Sequence, residues 1–223
     1  MEKCNYRKDP HQDIDHVFRD LLPAHGMVER PAQVELSHQM LDTMLNGSIA
    51  LCDAGTGIGK TYAYLVAGVV FRRYRSRAGL PNQPLLISTS SIALQGAIIH
   101  DYLPFLSKVM MADGMLDSPL RAVLRKGKSH YVCDARLMKR LQTANLDRKN
   151  PLAKAALLSM RDHLDLDMAP HLSGYDRERI CVPPTCDCGK TECRYLCYLD
   201  VCASERYAIQ VCNHNLLLAD AIH

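Results

Sequence analysis

The sequence predicts an α/β protein: a parallel sheet with helices on both faces, interrupted by a mainly helical, cysteine-rich insertion. Three observations carry that expectation. Short apolar runs alternate with stretches of helical spacing through the first 125 residues. A glycine-rich loop, Ala54-Gly-Thr-Gly-Ile-Gly-Lys-Thr61, stands between the first of those runs and the helix after it. Six of the ten cysteines then crowd between Cys181 and Cys202, where the alternation has stopped.

The first 26 residues are polar and irregular apart from Val17, Phe18, Leu21 and Leu22, whose spacing suits a short helix. Val34, Leu41 and Leu45 share one side of a helix over Arg30–Leu45. Ser48–Cys52 is a short apolar run ending at the glycine-rich turn, the pattern of a buried strand, and Lys60–Tyr74 follows as a helix. Pro84–Thr89 reads as a second strand, residues 91–111 as a helix, and Arg121–Leu124 as a third strand. After a helical stretch at Leu137–Leu164 and the cysteines, Tyr207–Cys212 returns as a strand and His214 opens a helix. The simplest division is residues 1–125 as the first part of an α/β domain, 126–205 as the insertion and 206–223 as the return.

Composition narrows the classes. With 48% hydrophobic and 23% charged residues the chain is globular rather than disordered. Tryptophan is absent and aromatics total 6%, which argues against an aromatic-rich binding face. The longest apolar stretch, Ala63–Phe71, is too short to span a bilayer, and the N-terminus lacks the apolar segment of a signal peptide. A cytoplasmic protein without a membrane partner is the expectation. Net charge is only +3, but Arg121–Lys149 carries nine basic residues against Asp134 and Asp147, which suggests one face for a polyanion.

The glycine-rich loop matches a phosphate-binding loop at Gly59, Lys60 and Thr61, with Ala54 where the first glycine is usual. Such a loop folds its N–H groups of Gly55, Thr56, Gly57, Ile58 and Gly59 into an anion-binding nest. Lys60 would reach the outer phosphates of ATP and Thr61 would ligate Mg²⁺. A metal-holding acid is harder to find: Leu216–Asp220 superficially resembles an aspartate-bearing strand, but an amphipathic helix suits it better.

The insertion reads as a metal site, because a reducing compartment disfavours structural disulfides. Cys133 is followed by Cys181, Cys186, Cys188, Cys193, Cys197 and Cys202; Cys188, Cys193 and Cys197 are the tightest set, and Cys186 can replace Cys188. Spacing alone does not choose between an iron–sulfur cluster and Zn²⁺. Cys4, Cys52 and Cys212 fall outside the cluster, the last two as core thiols of apolar strands. Tyr131, beside Cys133, reads as packing, and His130 as a possible auxiliary of the site.

Several segments, in order, resemble the bacterial DinG-like branch of the XPD-type superfamily 2 DNA helicases. Arg30-Pro-Ala-Gln33 resembles that family's adenine-reading motif, and Asp53–Leu65 its extended motif I. Ser88-Thr-Ser-Ser-Ile-Ala-Leu-Gln95, with Asp101-Tyr-Leu-Pro104, is similar to its DNA-backbone motif Ia. Lys126–Cys133 resembles the stretch delivering the first iron–sulfur cysteine, and Asn213–Asp220 the segment before the DEAH box. The resemblance implies a RecA-like domain that reads adenine with Arg30 and Gln33. It implies Ser88, Thr89, Gln95, Lys126 and Lys128 against DNA, and a 4Fe–4S cluster on Cys133, Cys188, Cys193 and Cys197. It implies single-stranded or forked DNA as partner, 5′ to 3′ tracking and a role in DNA repair. On this reading the chain is the N-terminal part of a helicase. Alone it would bind ATP without hydrolysing it usefully, lacking the DEAH acid and the second motor domain; a monomer is the expectation. The alternative is a non-catalytic metal- and DNA-binding module with structural Zn²⁺; a P-loop kinase with a zinc insertion is a weaker third.

Overall fold

The computed structural model describes residues 9–143, 151–186 and 193–222; the side chains of 220–222 are outside it, as are Cys4 and Cys188. The described chain forms two compact units. The first holds the described residues through Leu124 together with Glu205–His214, and the second holds those of Arg125–Ser204 and those from Asn215 onward.

The first unit opens with α1 (Pro10–His16), capped by the Asp9 carboxylate and started by a proline at a position that needs no donor. The helix widens into a π turn at Val17–Leu21 and closes at Leu22–Ala24. Pro23 is the physical reason: a proline removes one backbone donor and crowds the carbonyl four residues back, and a wider turn relieves both. The same device recurs downstream. α4 (Ile92–Ala97) runs through a π turn at Ile98–Tyr102 into α5 (Leu103–Ala112), immediately before Pro104. The helix expected over 91–111 is therefore one helical run with a local widening.

Between these lie α2 (Pro31–Leu45) and α3 (Lys60–Arg77), which pack on one another. α3 is the spine of the unit, with Leu65, Val66, Ala67, Val69 and Val70 fully buried against Ile14, Phe18, Ile98, Leu106 and Met110. Gly68 lies where an added Cβ would stand 2.2 Å from a Leu85 methyl, so helix and sheet approach closely there.

The sheet is small and parallel: β1 (Leu85–Ser88), β2 (Ala122–Leu124) and β3 (Ile209–Cys212) stand in the order β1-β3-β2. Ile209 faces Leu85 on one side and Ala122 on the other. β3 is the central strand and all four of its residues are buried. The α/β class is thus the one the alternation predicted.

One expected strand is not there. Ser48–Cys52 forms no ladder; Ile49 and Leu51 are fully exposed, and Cys52, which was expected in the core, is exposed. A run this apolar suits a strand flanked on both sides, and among the described residues no strand pairs with it. Cys212, by contrast, is buried in β3.

His16 links α1 to the end of α5, its Nδ1 2.8 Å from Asp20 and its Nε2 3.0 Å from Asp113. The Asp20 hydrogen bond, aided by Asp113 and opposed by burial, raises its pKa above the ordinary value near 6.5. A raised folded pKa means stabilisation that is complete below the unfolded value and lost as pH rises through the folded one. An NMR titration should give His16 a midpoint above 6.5, and Asp113→Asn should move it down. A midpoint indifferent to that substitution counts against the link.

In the second unit α6 (Asp134–Thr143), α7 (Pro151–Ser159) and α8 (Gly174–Ile180) surround Leu137, Leu157, Met160, Leu166 and Ile180. Of the helical stretch expected from Leu137 to Leu164, the described residues show α6 as far as Thr143 and α7 from Pro151 to Ser159, and residues 144–150 lie outside the described residues. Short antiparallel bridges, Tyr131 to Asp165 and Val132 to Cys181, draw the segment around Cys133 to the chain ahead of α9 (Arg194–Ala203). The last helix, α10 (His214–Ile222), contains the Leu216–Leu218 run, in keeping with a helix rather than an acid-bearing strand.

Candidate functional site

The phosphate loop sits where α3 begins. Gly57 and Gly59 take φ values of 83° and 88°, a left-handed backbone that suits glycine, and they turn the chain directly into Lys60 at the helix start. Gly59 has a second reason to be glycine: a Cβ there would stand 2.2 Å from Gln33 Nε2.

That closeness is a hydrogen bond. Gln33, 3% exposed on α2, donates from Nε2 to the Gly59 carbonyl at 2.7 Å. Arg30 donates to the Gly57 carbonyl at 2.6 Å, and Ser37 to the Ala63 carbonyl at 3.0 Å. Arg30 and Gln33 therefore hold two carbonyls of the loop, which leaves its N–H side to an anion, while Ser37 ties α2 to the first turn of α3. Lys60 Nζ rests between the carbonyls of Ala54 and Gly55, 2.8 Å from each. These are neutral acceptors; an oxyanion makes a stronger charge-assisted bond and would draw the ammonium away.

Beside the loop lies a cavity of about 420 Å³, lined by Arg30, Gln33, Gly59 and Thr61 together with Met27, Val28, Tyr62 and Tyr102. The structure thus gathers the four expected positions and adds Met27 and Val28 from outside the motif segments, with Tyr62 and Tyr102 from inside them. Tyr62 and Tyr102 meet edge to face at 5.3 Å, and burial raises the Tyr62 pKa. Both tyrosines lie inside the segments Asp53–Leu65 and Asp101–Pro104, where the sequence reading gave them no role.

The residues expected against DNA are placed less uniformly. Ser88 and Thr89 are half-buried at the end of β1. Ser88 Oγ lies 2.8 Å from His214 Nδ1, and Thr89 Oγ1 accepts from the Ser91 N–H. Gln95 is buried and donates to the Thr89 carbonyl at 2.8 Å, so it braces this turn. In the second unit Lys126 Nζ is held by Asp165 at 2.6 Å and Asp167 at 2.7 Å, while Lys128 Nζ donates to the Pro184 carbonyl. Lys126, aided by Arg177, keeps the Asp167 carboxyl well below the usual carboxylate range, so Lys126 is bound in an internal ion-pair network.

Cys133 and Cys193 occupy equivalent places, each capping a helix. The Cys133 carbonyl accepts from Leu137 N at 2.8 Å, and that of Cys193 from Cys197 N at 3.1 Å. The residues after them clamp the two helix starts together: Arg194 Nε lies 2.9 and 3.0 Å from the two oxygens of Asp134. Cys133 is buried in a cluster with Tyr131 and Val182, against Tyr195 and Tyr198 of α9. Tyr131 is packing, its hydroxyl 3.2 Å from that of Tyr198. Thiol donors beside two helix N-termini suit an anionic thiolate centre. Among the described residues no three ligand side chains converge, and Cys188 is not one of them. His130 lies 3.4 Å from Asp167 rather than with the thiols.

No family model matches the chain. Curated proteins do. The 3′-5′ exonuclease DinG of Bacillus subtilis is 30% identical over 144 residues, 65% of this chain. The ATP-dependent DNA helicase YoaA of Haemophilus influenzae is 30% identical over 129 residues, and the ATP-dependent helicase DinG of Mycobacterium tuberculosis 29% over 126 residues, or 58% and 56% of the chain. These matches support a DinG-like helicase N-terminal region over up to 65% of this chain. The aligned segments span only 14–18% of the length of these DinG and YoaA relatives. Among the described residues no helix is long and apolar enough to cross a membrane.

Proposed function

We propose that this DinG-like region is the ATP-binding part of an ATP-dependent DNA helicase. Residues 1–125 and 206–223 belong to a RecA-like domain and 126–205 to a 4Fe–4S insertion that helps to hold single-stranded or forked DNA, tracked 5′ to 3′. The observation that carries the reading is the phosphate loop: a glycine-turned helix start whose carbonyls are taken by Arg30 and Gln33, in a chain whose relatives include proteins named as ATP-dependent DNA helicases.

The chemistry rests on the chain's own groups. The loop N–H groups and the α3 N-terminus receive the phosphates, and Lys60 leaves the Ala54 and Gly55 carbonyls for their outer oxygens. Thr61 offers its hydroxyl to Mg²⁺, which when bound neutralises phosphate charge. Arg30, Gln33, Tyr62 and Tyr102 shape the adjoining cavity for the base. The cluster would be held by Cys133, Cys188, Cys193 and Cys197 and would cross-link the two clamped helix starts; Zn²⁺ on the same thiols is the alternative.

Two binding measurements test the proposal. The purified chain should bind a fluorescent ATP analogue in a Mg²⁺-dependent manner. It should also bind single-stranded oligonucleotides with an affinity that falls steeply between about 50 and 200 mM salt, as counterion release requires. Absence of both would overturn the assignment.

A further inference from the structure

The first unit carries a concentration of positive charge away from the phosphate loop. It lies at the other end of α3, in a cleft of about 420 Å³ lined by Arg72, Arg73, Arg77, Arg121 and Arg206. Lys60 and Arg73 are 13 positions apart along the helix, about 20 Å at 1.5 Å per residue. The cleft also lies at the opposite end of the strands from Thr89 and His214: Asn82, Arg121 and Ala208 on its walls all precede a strand. It is therefore independent of the nucleotide site in position and in residues.

We propose that this cleft is a second anion site, built to hold a phosphate group carried by a small molecule or by the end of a nucleic-acid strand. The charge balance is the first argument. Five arginines line the cleft against Asp117 and Glu205. Behind them one buried carboxylate, Asp13, serves two guanidiniums, Arg77 at 2.9 Å and Arg73 at 3.5 Å. Two positive charges remain in excess. Burial disfavours the charged forms of Arg72 and Arg73, and Arg77 adds to the strain on Arg73. Half-buried like charges without enough counter-charge are what a bound anion relieves. The negative end of the α3 dipole would oppose an anion here, so the guanidiniums themselves must supply the binding.

Wall chemistry narrows the ligand. Arg72 is tied to the Gln83 carbonyl, while Arg121 and Arg206 are exposed, so their forks are available to bind two oxygens at once. Asn82 is fixed by its side-chain N–H groups on the Arg72 carbonyl and Ser76 Oγ, leaving its Oδ1 buried with no hydrogen-bond partner. Val69, Met115 and Leu120 give the cleft an apolar floor for whatever bears the phosphate.

Pyrophosphate is the probe, titrated by calorimetry into the Lys60→Ala protein so that the phosphate loop does not compete. The proposal expects pyrophosphate binding there and an affinity at least tenfold lower when Arg121→Gln and Arg206→Gln are added, with an unchanged melting temperature in the absence of ligand. Arg121→Lys should retain part of the binding, since charge survives without the fork. Competition identifies the source of the phosphate. Displacement by a 5′-phosphorylated oligonucleotide but not by its 5′-hydroxyl counterpart supports a strand end; displacement by neither supports a small molecule. No pyrophosphate binding to Lys60→Ala, undiminished binding to the triple variant, or equal displacement by both oligonucleotides would overturn the site.

Discussion

Lys60→Ala should weaken Mg²⁺-ATP binding about a hundredfold while leaving the melting temperature nearly unchanged. The side chain is exposed and, among the described residues, its hydrogen bonds go to the carbonyls of Ala54 and Gly55, so its removal empties no core and orphans no buried charge. In the nucleotide complex the same ammonium would bond charged phosphate oxygens. Two such bonds, at roughly 1.5 kcal/mol or more each, account for two decades of affinity. Equilibrium titration with a fluorescent analogue, beside a thermal melt, separates the effects. Unchanged affinity would mean that the loop is a glycine turn without a ligand; a large drop in melting temperature would mean that the lysine is structural.

The loop was legible because its requirements are local. A left-handed glycine ahead of a helix, then lysine and threonine, is written in consecutive residues, and Gly57, Gly59 and Lys60 stand as that pattern demands. The part played by α2 was legible only as identity. Arg30 and Gln33 were expected to meet the adenine; the structure shows their nitrogens on the carbonyls of Gly57 and Gly59, a contact across more than twenty residues that spacing does not encode. Ser48–Cys52 shows the converse: apolarity marks a residue as wanting cover, but a strand also needs neighbours. The second anion cleft was invisible for a related reason. Arg72, Arg73 and Arg77 stand close together at the end of α3, but Arg121 and Arg206 come from the approaches to β2 and β3, so no single run in the chain marks the cleft. The conspicuous run at Arg121–Lys149 disperses: Arg121 joins that cleft, Lys126 is bound to Asp165 and Asp167, and Arg140 pairs with Asp176.

Cys133→Ser should abolish metal binding, whereas Cys202→Ala should retain it. The contrast comes from where the two thiols stand. Cys133 caps the start of α6, and the Asp134–Arg194 pair joins that start to the start of α9, where Cys193 caps in the same way and Cys197 comes one turn later. Loss of one thiolate from a four-thiolate centre leaves an open position, and the binding energy of such a centre is also folding energy of the segment that holds it. The second unit has few large buried side chains beyond Leu137, Leu157, Met160, Leu166 and Ile180, so it should lose stability with the metal. Cys202 is buried on the same helix as Cys197, its thiol pushed up by burial, and its replacement removes a packing group rather than a ligand. Iron, zinc and acid-labile sulfide should be measured on anaerobically purified protein, with amide hydrogen exchange over α6 and α9. Iron with matching sulfide, lost only in the Cys133 variant, bears out the cluster. Zinc without sulfide, lost in the same variant, keeps the ligand but replaces the cluster with a structural ion. Metal content indifferent to Cys133 would show that the two clamped helix starts hold no centre, leaving the Asp134–Arg194 pair as a purely structural clasp.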